Sequence, residues 1–148
     1  MARCFLSFFG FLSLVGLALS LACHGATFLN TPQLPGQYTW LLHVGVFVVW
    51  IPAFFCYPFL FARPGATNFW TATLAGCPKW MRTTVCLFGI YALLNLSNFM
   101  WTAFTGAPGQ ALRMFARAFS GHWMFFYSAA AAVFYSVFQA CSADMETR

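Results

Sequence analysis

The chain has 148 residues, enough for one domain, of which 61% are hydrophobic and only 6% charged. A soluble domain carries about 25% charged residues to hydrate its surface, and a disordered chain combines low hydrophobicity with high charge, so both classes are excluded. Aromatic side chains make up 21% of the chain, twenty of them Phe, which suits a protein whose solvent is lipid.

A bilayer core takes about 20 apolar residues of helix to cross. Four stretches meet that length: residues 5–23, 38–61, 83–104 and 122–141. A closed β-barrel would show short segments of alternating apolar and polar residues. These runs are apolar all round, so the expected fold is all-α: a polytopic membrane protein forming a four-helix transmembrane bundle, with residues 1–148 as a single integral membrane domain. Pro and Gly mark the breaks, at Asn30-Thr31-Pro32 with Pro35-Gly36, at Arg63-Pro64-Gly65, and at Gly106-Ala107-Pro108-Gly109.

The first span has some features of a cleaved signal peptide, with Arg3 in a short leader and the small residues Ser20 and Ala22 ahead of Cys23. Its apolar run is longer than the usual h-region of about 7–15 residues, which favours retention; cleavage would leave three spans. Ser13, Gly16, Ser20 and His24 fall on one helical stripe of this span and nominate its bundle-facing side. In the second span Pro52 and Pro58 each lack an N–H, freeing the carbonyls of Val48 and Phe54, and Gly45 adds a thin spot. The segment Thr67–Leu74, with Phe69 and Trp70, is expected to lie on the membrane as an aromatic anchor.

Thr84, Tyr91, Asn95, Asn98 and Thr102 share a stripe of the third span. The last four are its polar, bundle-facing candidates, since an amide facing lipid lacks partners. Gln110–Ser120 then places Leu112, Phe115 and Phe119 opposite Arg113 and Arg117. That pattern predicts a short amphipathic interfacial helix before the last span, with Arg113 and Arg117 on lipid head groups or another anion. In the fourth span Gly121, Ser128, Ala132, Tyr135 and Gln139 form the corresponding stripe. Trp40, Trp80, Trp101 and Trp123 fall near span ends, where indole rings favour the head-group zone.

With four spans, one face receives Arg3, Arg63, Lys79, Arg82 and Arg148, and the other only Arg113 and Arg117. Excess Lys and Arg marks the cytoplasmic side, so both termini are expected there, in a cytoplasmic (inner) membrane. The basic residues are scattered without a stripe or motif, which argues against nucleic acid.

His24, His43 and His122 all fall toward the opposite face. Three imidazoles at similar depth are an alternative site for a transition metal such as copper, or for haem in a membrane electron-transfer protein, with Asn98 and Thr102 as supporting partners. No His pair has i, i+4 spacing, and interfacial histidines also bind water or head groups. The six cysteines contain no C-x-x-C and sit mostly at the cytoplasmic end, so no disulfide framework is expected.

Asp144 and Glu146 are the only acidic residues, both in the tail. This removes two-carboxylate hydrolysis and the intramembrane carboxylate on which proton-coupled transport normally relies. No glycine-rich phosphate loop occurs. The favoured function is therefore non-catalytic: a small integral subunit or accessory packing protein of a membrane complex. Its partners would be the bilayer and other membrane proteins, or further copies of itself. A small channel or carrier lined by Thr84, Tyr91, Asn95 and Asn98 is a further alternative.

Overall fold

The computed structural model describes residues 2–29, 36–61, 67–105 and 108–146. Among them every regular element is an α-helix: α1 (Ala2–Ala26), α2 (Gly36–Phe55), α3 (Tyr57–Phe61), α4 (Phe69–Leu74), α5 (Lys79–Thr105) and α6 (Pro108–Glu146). Three of them, within Arg3–Ala26, Lys79–Thr105 and Met114–Ser142, are long and apolar enough to cross a membrane. A shorter apolar helix covers Thr39–Phe55.

The last helix is the axis of the molecule, with α1, α2, α4 and α5 packed around it. Its run Ala129–Ala132 is buried, and these small side chains let neighbouring backbones approach closely. The pairing of α1 with α6 is antiparallel along its whole length. Arg3 reaches Ser142, Phe9 stacks on Phe134, Gly16 abuts Tyr127 and His24 meets Ser120. On the other side α5 also runs against α6, from Gly89 beside Phe125 to Phe99 beside Phe115. Exposed positions carry large apolar groups, among them Phe8, Phe11, Phe47, Phe55, Leu93 and Phe104.

Two expectations are corrected. Gln110–Ser120 is not a separate interfacial helix: α6 starts at Pro108 and continues unbroken to Glu146. Proline suits the first helical position, and beyond it only Gly109 and Gly121 weaken the run, so nothing ends a helix that keeps its backbone bonded in apolar surroundings. At about 58 Å, from 1.5 Å per residue, α6 is longer than a hydrocarbon core of about 30 Å.

The stretch 38–61 is interrupted. Pro58 cannot donate to Phe54, the Cys56 N–H bonds the Ala53 carbonyl at 3.0 Å, and α2 ends there while α3 begins. Pro52, by contrast, is accommodated inside α2. The segment Thr67–Leu74 carries the short helix α4 and leaves Trp70 exposed. Asn68 caps α4 by accepting from the Thr71 N–H at 2.9 Å, while the Thr71 hydroxyl accepts from the Asn68 N–H, a reciprocal capping box. Ala72 and Thr73 are buried, and Phe69 stacks on Tyr57 with ring centres 4.6 Å apart.

Candidate functional site: a histidine buried between three helices

His24 lies in the last turn of α1 and is only 7% exposed. Its Nδ1 is 2.7 Å from Ser120 Oγ on α6, and its Nε2 is 2.5 Å from Tyr91 Oη on α5. The direction of these bonds follows from the neighbours. The Ser120 hydroxyl has one proton and donates it to the Ala116 carbonyl at 2.7 Å. Its oxygen therefore accepts from His24 Nδ1–H, leaving Nε2 as the lone pair that accepts from the Tyr91 hydroxyl. The result is one polarised chain, Tyr91 to His24 to Ser120 to the α6 backbone, that joins three helices. In an apolar interior such a chain is favourable because every member is satisfied.

Around it the end of α1 is closed by cationic and backbone groups. Thr27 donates to the His24 carbonyl through its N–H and its hydroxyl, at 3.1 and 2.7 Å. Arg117 donates to the Thr27 carbonyl at 3.3 Å and lies 4.2 Å over the Phe28 ring. A cation at a helix C-terminus complements the negative end of its dipole. The Arg113 side chain lies outside the described residues, as do Arg63 and Arg148.

His43 and His122 sit at the same end of the bundle but in different surroundings. His43 Nδ1 accepts from the Trp123 indole at 3.3 Å, while its ring packs against Trp40, Phe47 and Phe119. Trp123 is thus 3% exposed and ties α2 to α6 instead of anchoring a head-group zone. Trp40, Trp80 and Trp101 are exposed. The His122 ring packs on Phe126, centres 4.4 Å apart, and faces a cleft between α4, α5 and α6.

The three histidines are not gathered into one ligand set. Among the described residues no three His, Cys, Asp or Glu side chains gather where an ion could be held. Both His24 nitrogens are engaged, and the His43 lone pair that faces the protein is taken by Trp123. Ligation by His24, or by His43 through Nδ1, would require breaking bonds that hold the helices together. No disulfide joins the cysteines; Cys56 and Cys77 are buried, and the Cys77 thiol donates to the Thr73 and Ala132 carbonyls at 3.6 and 3.4 Å.

Of the polar residues on α5, Tyr91 reaches another helix through His24. Asn95 donates to its own helix at the Tyr91 carbonyl, 2.8 Å away, and Thr102 bonds the Asn98 carbonyl at 2.9 Å. Asn98 is exposed, and its Nδ2 meets only the Met114 sulfur at 3.6 Å. In α1 the stripe of Ser13, Gly16, Ser20 and His24 is buried, yet Ser13 and Ser20 donate to their own helix, at the Phe9 and Gly16 carbonyls. They work by being small.

Sequence reasoning missed Ser120, Trp123 and Tyr127 as contact makers. The Tyr127 hydroxyl donates to the Leu42 carbonyl at 2.8 Å, and its ring lies where a side chain on Gly16 or Gly45 would collide with it. The two glycines were the available signal. Known protein families, curated proteins and solved structures provide no match to this chain.

Proposed function

We propose that the chain is a four-crossing integral membrane protein that serves as a non-catalytic subunit or packing partner of a membrane complex. Both termini lie in the cytoplasm, following the Lys and Arg excess at that end. The reading rests on Asn98. Its exposed amide has only a sulfur acceptor for its N–H and no described partner for its side-chain oxygen. An amide in hydrocarbon is costly without partners, and a neighbouring membrane helix would supply them. The surface around it is already apolar, with Leu94 and Trp101 exposed on the same helix.

Mild-detergent extraction from the native membrane, followed by particle mass and cross-linking, tests this. A particle holding this chain with a second membrane protein or further copies is expected, and Asn98→Leu should weaken the association while leaving helix content unchanged. A single-copy particle with enzymatic turnover of its own would overturn the proposal.

A further inference from the structure

The cleft between α4, α5 and α6 has a volume of about 600 Å³. That is within the range of small-molecule sites, and at about 30 Å³ per water-sized group it admits roughly twenty such groups. One wall is aromatic, formed by Trp70, Phe125 and Phe126; the α5 wall is aliphatic, with Ile90 and Leu93. Among the described residues no Lys, Arg, Asp or Glu lines it, and His122 is the sole imidazole that does.

His122 makes no hydrogen bond to any described residue. This separates it from His24 and His43, whose rings are tied to Ser120, Tyr91 and Trp123. It lies eight residues beyond Met114, about 12 Å along a span at 1.5 Å per residue, where a lone imidazole is expensive. Its ring is held against Phe126, so its position at the cleft wall is set by packing. Gly89 keeps the cleft open on the α5 side, because a side chain there would press within 3.1 Å of the Phe125 ring.

We infer that this cleft binds a neutral, lipid-soluble amphiphile whose polar end is a single hydroxyl or carbonyl oxygen, hydrogen-bonded to His122. The absence of charge among the described lining residues disfavours an ionic head, and the apolar walls take a chain or flat ring. An imidazole offers one donor or acceptor to such an oxygen. This inference stands apart from the proposed function, since ligand binding requires no partner protein.

The test uses the full chain in phosphatidylcholine nanodiscs. The probe is hexadecanol carrying a mid-chain photoreactive diazirine, with the corresponding alkane as control. Saturable labelling by the alcohol within 86–96 and 122–126 is expected, competed by unlabelled hexadecanol and not by hexadecane. His122→Phe should weaken binding about five- to tenfold, the loss of one hydrogen bond. His122→Gln, which keeps a donor and an acceptor, should restore most of it, and Cys86→Trp should block entry from the exposed rim of the cleft. Equal competition by the alkane, or unchanged binding in correctly folded His122→Phe, would overturn the inference. Should His122→Phe fail to fold, undiminished labelling of Cys86→Trp overturns it instead.

Discussion

Tyr127 shows how much one side chain can demand of its neighbours. Its ring fills the space beside Gly16, and its hydroxyl reaches past Gly45 to the Leu42 carbonyl. A Cβ at Gly45 would meet the hydroxyl itself while remaining 3.4 Å from the ring carbon that bears it. Gly45→Ala should therefore destabilise the protein by about 1–3 kcal/mol, the usual cost of overpacking. Tyr127→Phe alone should cost about 1 kcal/mol for the lost bond. In the double variant the clash disappears with the hydroxyl, so Gly45→Ala should cost little there; unfolding measured for all four proteins in detergent gives the coupling. A second residue-scale test concerns Tyr91. Tyr91→Phe leaves the His24 Nε2 lone pair buried without a donor, for about 1–3 kcal/mol. Tyr135→Phe, at a half-buried site on α6, is the control and should stay within about 0.5 kcal/mol.

At the scale of elements, the breaks follow the chemistry of capping and proline. Pro58 ends α2 because the bond it would donate is missing, while Pro52 sits inside the helix where tertiary neighbours hold it. Six residues are too few for a stable isolated helix, so α4 depends on its cap and on the burial of Ala72 and Thr73. Asn68→Ala removes the acceptor for the Thr71 N–H and should cost about 1 kcal/mol. Amide exchange should speed up at Thr71 and its neighbours while the centre of α6 is unaffected. Arg82 supports the following turn by donating to the Ala75 and Cys77 carbonyls at 2.9 and 2.8 Å, so this corner is held at both ends.

For the whole molecule, the antiparallel match of α1 with α6 sets the relation between the chain ends. The contact of Arg3 with Ser142 puts the start of one and the end of the other together, whereas His24 and Ser120 meet at the far end. Single-cysteine proteins in sealed vesicles test this with a membrane-impermeant thiol reagent. Cys4 and a cysteine at Ser142 should label from the same side, and a cysteine replacing Trp101, exposed near the end of α5, from the opposite side. Labelling of Cys4 and the Ser142 position from different sides would contradict the pairing.

The sequence by itself determined the helical nature of the molecule and its long apolar segments. Hydrocarbon imposes those through backbone hydrogen bonding, and twenty Phe with nine charged residues leave few other solutions. Pro108-Gly109 was legible as a helix start and α6 begins there, because a missing N–H acts locally. Pro58, by contrast, read only as freeing the Phe54 carbonyl within one span that the structure divides into α2 and α3. Only the tertiary structure decided which faces meet. In lipid an apolar side chain is equally at home inside or outside, so hydrophobicity carries no inward direction. That is why α6 became one long central helix when its first part read as amphipathic, and why Trp123 is buried against His43. It is also why the bonds of His24 to residues 67 and 96 positions away were invisible: Tyr91 and Ser120 carry no local mark of a partner so distant along the chain.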